Sequence, residues 1–114
     1  MAVAMLMRYP GVTAKDYDRL MLDFHLDADP PVGEILHLAV ESDEGLLVTD
    51  VWRTPEAAEA FVQNRLRPAL EHAGIKTELE YEIRPLHNVY TPDLDALERI
   101  GALSLPAVDV RTVL

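Results

Sequence analysis

Two side chains in this sequence are of types that work together as base and orienter: His37 and Asp50. A carboxylate beside an imidazole fixes its tautomer and stabilises its protonated form, as proton transfer near neutral pH requires. The same pair can also be a buried cross-strand hydrogen bond with no chemistry attached. Asp50 lies in "LLVTDVWRTPEAAEAF", two positions before the only tryptophan, Trp52. On a strand those two share a face. His87, in "LHNVY", would reach a pocket mouth if its strand runs on. Met5 and Met7 share a face of the first strand with Val3 and Tyr9. Methionine suits an apolar ligand wall as well as a core. The expected catalytic pair is therefore His37 and Asp50. The expected substrate-binding residues are Trp52, Met5, Met7 and His87, and no metal ligands are expected.

These residues need elements to place them. Ala2 to Tyr9 is a continuous apolar run ended by Pro10-Gly11, which reads as a strand buried on both faces. Thr13, with Asp16 three residues on, caps a helix. Its Tyr17, Leu20, Met21 and Phe24 fall at i, i+3, i+4, i+7, and both aromatics read as core. Pro30-Pro31 and Gly33 break the chain. Glu34 to Ser42 and Leu46 to Arg53 read as strands joined by the hairpin "SDEG".

Pairing Ser42 with Gly45 sets His37 opposite Asp50 and Ile35 opposite Trp52. Leu36, Leu38, Val40, Leu47, Thr49 and Val51 then form an apolar face, expected to pack under the helices. His37, Asp50 and Trp52 would look the other way, into a cavity closed by a second copy of the chain. Thr54-Pro55 opens a second helix with Ala58, Phe61, Val62, Arg65, Leu66, Ala69 and Leu70 facing inward. Pro68 predicts a kink or restart, and Gly74 the end. Glu78 to Tyr90 reads as a long fourth strand in which Pro85 implies an edge or a bulge.

The order β-α-β-β-α-β predicts an α+β, ferredoxin-like fold with a four-stranded antiparallel sheet. It occupies residues 1–90. Residues 91–114 form a tail, with a cap at Thr91-Pro92-Asp93, a short helix to about Gly101 and an extended "VDVRTVL". Leu94, Leu97, Ile100, Leu103 and Leu105 predict that the tail packs on its own or a partner subunit.

Charge and composition exclude several classes. A net charge of −10 disfavours nucleic acid and anionic membrane surfaces, both of which attract clustered Lys and Arg. The absence of cysteine removes disulfides, thiolate catalysis and Cys-based zinc sites, and suits the cytoplasm. The N-terminal apolar run is too short to span a bilayer and lacks a signal-peptide pattern. There is no Gly-rich phosphate loop, nucleophile elbow or HExxH.

The segments "MRYPGVTAKDYDRLM", "DVWRTPEAAEAF" and "PLHNVY" resemble the dimeric α+β barrel superfamily, which includes antibiotic-biosynthesis monooxygenases. The resemblance spans roughly residues 2–90 and leaves the tail unmatched. It implies a homodimer without cofactor, acting on a small apolar, aromatic or polyketide-like molecule. Cofactor-independent oxygenation is the first activity implied. Cyclisation or isomerisation, or ligand binding without catalysis, are the others. In such proteins an aromatic residue at the position of Trp52 often packs the barrel end. Heme-degrading relatives place an iron-ligating histidine near the position of His72. Here Met5 stands where those enzymes have asparagine, and Phe61 where they favour tryptophan, so His72 reads as a helix C-terminal cation.

Overall fold

The computed structural model describes residues 1–26 and 28–104, the last four through their backbone alone. Strand β1 (Val3–Pro10) leads to helix α1 (Ala14–Phe24). The hairpin β2 (Glu34–Ser42) and β3 (Gly45–Trp52) follows. Next come α2 (Pro55–Phe61), a π-helical turn (Val62–Leu66) and α3 (Arg67–Ala73). β4 (Glu80–Pro85) and α4 (Leu94–Ser104) complete the described chain. The sheet order is β2-β3-β1-β4, and each pairing is antiparallel. This is the ferredoxin-like α+β plan, and the β2–β3 register sets His37 opposite Asp50 as the hairpin predicts.

Local chemistry accounts for the helix boundaries. Thr13 and Asp16 form a reciprocal capping box, which satisfies two N–H groups at the start of α1. The Thr54 hydroxyl accepts from the Ala57 N–H at 3.1 Å, and Pro55 sits where its missing N–H costs nothing. Pro68 does not kink a continuous α-helix. The backbone widens into the π turn, and Pro68 falls in the first turn of α3, which follows it directly. Gly74 closes α3 at φ 70°.

The structure reverses the two faces of the sheet relative to the sequence reading. The helices cover the face that carries Met5, Met7, Tyr9, Val48, Asp50 and Trp52. Leu6, Leu38 and Val40 lie on the open face, at 41%, 45% and 50% exposure. Alternation fixes which residues share a face but not which face receives the helices. Central β1 decides it. Met5 pairs with Asp50 and Met7 with Val48, so its bulkiest side chains join the face of Trp52. β1 is therefore buried on one face only: Leu6 and Arg8 are exposed.

β4 is shorter than expected, an edge strand ending at Pro85. α4 runs three residues past Gly101. Its start is capped by Asp93, whose carboxylate accepts from the Ala96 N–H at 3.0 Å. Leu105 and the extended piece "VDVRTVL" lie outside the described residues.

Candidate active site

The site begins with an irregularity in β2. Leu36 pairs with Val51, yet Trp52 pairs with Glu34 and not with Ile35. One residue is extra, a β-bulge, and Ile35 is left 52% exposed. Gly33 shapes the entry to it. Its φ is +89°, and a Cβ there would lie 2.9 Å from the Cβ of Ala57. Its carbonyl accepts from the Arg53 N–H at 2.8 Å, which holds β2 against the end of β3. The bulge corrects the predicted Ile35–Trp52 pairing and turns Glu34 to the helix side. There it lines a cavity with His37, Asp50, Tyr9 and Tyr17.

Asp50 is 1% exposed, the one buried charged residue among the core side chains described. Its Oδ1 lies 2.6 Å from His37 Nδ1, and His37 Nε2 lies 2.6 Å from the Tyr17 hydroxyl. With His37 neutral, Nδ1–H donates to the Asp50 carboxylate and Nε2 accepts from Tyr17. The Tyr17 and His37 rings are nearly parallel, 8° apart, with centroids at 5.9 Å. The result is a relay, Tyr17–His37–Asp50, whose rings are fixed by stacking and whose tautomer is fixed by a carboxylate.

Burial and neighbouring charge tune these groups. Burial alone would push His37 down. The hydrogen bond and charge of Asp50, with Glu34 behind them, raise it above the ordinary 6.5. Burial, then the charge of Asp50, pushes Glu34 up to about 8. The phenols of Tyr9 and Tyr17 are raised as well, by burial first and the Asp50 charge second, so both remain neutral donors. Tyr9 points its hydroxyl at Met7 Sδ, 3.7 Å away.

The remaining wall is apolar: Leu20, Met21, Phe24, Leu26, Pro31, Phe61 and Leu66. The cavity measures about 20 Å³, room for about one water. Arg65, on the π turn, donates to the Phe24 carbonyl at 2.9 Å and sits over the Phe24 ring, tying α1 to this wall. Glu34, His37 and Asp50 bring one potential ligand atom each within 4.8 Å of one another. Both nitrogens of His37 are engaged at 2.6 Å, which is the geometry of a hydrogen-bond relay and not of a ligand set.

With sheet order and site defined, the chain can be set beside known proteins. No protein-family model matches it, and no curated protein does. Solved structures do match. A protein of unknown function from Nitrosomonas europaea superposes with a TM-score of 0.60 at 18% identity, over 81% of this chain and 95% of that one. SnoaB, a cofactor-independent oxygenase from Streptomyces nogalater, gives 0.56 at 13% identity over 81% and 98%. A candidate antibiotic biosynthesis monooxygenase from Deinococcus radiodurans gives 0.53 at 16% identity over 82% and 99%. The chain shares the ferredoxin-like fold of these proteins.

Within that fold the expected site residues separate into three groups. His37 and Asp50 meet at hydrogen-bond distance in the cavity. Met5, Met7 and Trp52 are fully buried core residues beside it and are not part of its lining. Trp52 stacks obliquely on Phe61 at 5.2 Å, and its buried Nε1–H has no hydrogen-bond partner among the described residues. His87 is exposed beyond the end of β4 and is not part of the cavity. His72 lies in the last turn of α3, outside the cavity.

Two lining residues escaped the sequence reading. Tyr17 carried one signal, a hydroxyl at a core position that must find a partner. Glu34 carried another, a carboxylate in register with the apolar stripe Leu36, Leu38 and Val40, where a break in alternation is the natural explanation.

Proposed function

We propose that this protein is a cofactor-independent oxygenase acting on a small apolar aromatic or polyketide-like molecule. The observation that carries this is the Tyr17–His37–Asp50 relay, two 2.6 Å hydrogen bonds long, set in the wall of an apolar cavity that a substrate must widen from its roughly 20 Å³. The Tyr17 oxygen takes the proton of an acidic C–H or phenol as its own hydroxyl proton passes to His37 Nε2, and Asp50 holds the imidazolium that forms. The resulting carbanion or phenolate reacts with dioxygen. A C–O bond forms, the O–O bond then breaks with loss of water, and a carbonyl remains. In sum, a CH2 group and O2 give C=O and H2O. The fold shared with SnoaB supports this reading. The exposed apolar side chains Leu6, Leu38 and Val40, beside a groove of about 440 Å³ on the open sheet face, support a homodimer joined through that face.

The test is oxygen consumption with 1-naphthol and anthrone as probes, for the wild type and His37→Ala. The expected result is uptake by the wild type and at least a 100-fold loss in the variant, with the fold retained. Equal uptake by both removes His37 as the base. Turnover without oxygen uptake assigns the relay to cyclisation or isomerisation.

A further inference from the structure

The bulge does more than disturb β2. It places a second carboxyl in a cavity that already holds Asp50 and His37, with Arg65 outside the lining as a further positive charge acting on it. Ligand atoms of Glu34, His37 and Asp50 lie within 4.8 Å of one another. Two carboxyls sharing an apolar pocket do not both ionise easily, because each charge opposes the other and neither is well hydrated. Asp50 is committed to the His37 Nδ1–H and is the more deeply buried. Glu34 is the member left to carry the proton.

We propose that Glu34 is the site's general acid: a neutral carboxyl that donates to an oxygen of the bound molecule while His37 acts as base. The inference rests on the acid/base reading of the relay but is tested separately from it. The ligand class it adds is a molecule with a carbonyl or enolate oxygen close to its acidic hydrogen. The proton balance closes. His37 Nε2 takes a proton from the molecule through the Tyr17 hydroxyl, which is restored in the exchange, and Glu34 gives one to the oxygen that gains negative charge. The site then holds an imidazolium and two carboxylates. Return of the His37 proton to Glu34 restores it, with no net proton gained or lost.

Every element packed around Glu34 contributes to its state. Asp50 from β3 opposes its ionisation, while His37 from β2 and Arg65 from the π turn favour it. Tyr9 from β1 and Tyr17 from α1 are neutral. Pairs whose surroundings push their proton affinities apart are the usual basis of acid and base roles in one site.

The experiment is ¹³C NMR of the side-chain carboxyls across pH, on the full chain labelled at glutamate. The expected result is one glutamate that titrates near neutrality or above and whose signal is missing in Glu34→Gln. A wild type in which all glutamates titrate in the ordinary acidic range overturns the proposal, and this readout needs no folded variant. Stoichiometric Zn²⁺ binding that Glu34→Gln abolishes also overturns it, since the three groups would then be ligands. For any probe the wild type turns over, Glu34→Gln should lower kcat by about 100-fold. Unchanged kcat reduces Glu34 to a structural carboxyl. Loss of the His37 assignment leaves the NMR result standing, so the two readings fail separately.

Discussion

His37 and Asp50 were legible as a pair because register is a matter of counting. Ser42 opposite Gly45 forces His37 opposite Asp50, and the 2.6 Å contact follows. The hydrogen bond beyond that count was not legible, since Tyr17 sits on a separate helix and meets His37 only after packing. Removing Asp50 should expose how much the pair contributes. Asp50→Ala leaves the His37 Nδ1–H without its acceptor, at a cost of about 1–3 kcal/mol in urea unfolding. The cost has a pH sign. The folded His37 binds its proton more tightly than the unfolded chain, so its contribution is complete below 6.5 and is lost as pH rises through the raised value. The deficit of Asp50→Ala should therefore be larger at pH 5 than at pH 9. Glu34 acts in the same direction: stability falls as pH climbs from 4.5 to about 8. In Glu34→Gln that part of the decline should vanish, so its melting temperature should gain on the wild type with rising pH.

Among the elements, the helices were the easiest to read. Thr13, Thr54, Pro55 and Gly74 each sit at a boundary for a reason confined to a few residues, and each boundary is where the reason puts it. The strands were harder. The bulge at Ile35 depends on Gly33 approaching Ala57, a contact between β2 and α2 that no local pattern encodes. Gly33→Ala should test that dependence. A methyl group at φ +89° and 2.9 Å from Ala57 must displace one element or the other. We expect destabilisation of about 1 kcal/mol or more. The titration of Glu34 should shift with it, read by the same carboxyl NMR. A variant with wild-type stability and an unmoved Glu34 would show that the bulge forms without this glycine.

At the scale of the whole molecule, the sequence prescribed two apolar sheet faces and left their assignment open. Helices settled on the side of Met5 and Trp52, so the candidate site lies between helices and sheet of one chain. Leu6, Leu38 and Val40 remain on the other side. Among the described residues no helix is long and apolar enough to cross a membrane. If a second copy covers this open face, a charge at its centre should separate the copies. Leu38→Asp should shift native mass or scattering from dimer to monomer at micromolar concentration and leave the His37 relay intact. A wild type that is already monomeric at that concentration would remove the dimer from the proposal. The Leu94 and Leu97 side chains of α4 are exposed too, at 61% and 39%, and would be available to the same partner.

The single extra residue in β2 also bears on how such proteins diverge. Because side chains alternate, the residue opposite Trp52 decides whether a carboxyl, as from Glu34, or an alkyl group, as from Ile35, enters the cavity. The backbone outside that step would scarcely change. One residue in this segment can thus change the polarity of the pocket while the global superposition on other chains of this fold stays the same. Chains that look equivalent in outline should be sorted by the length of this one entry segment before any reaction is transferred between them.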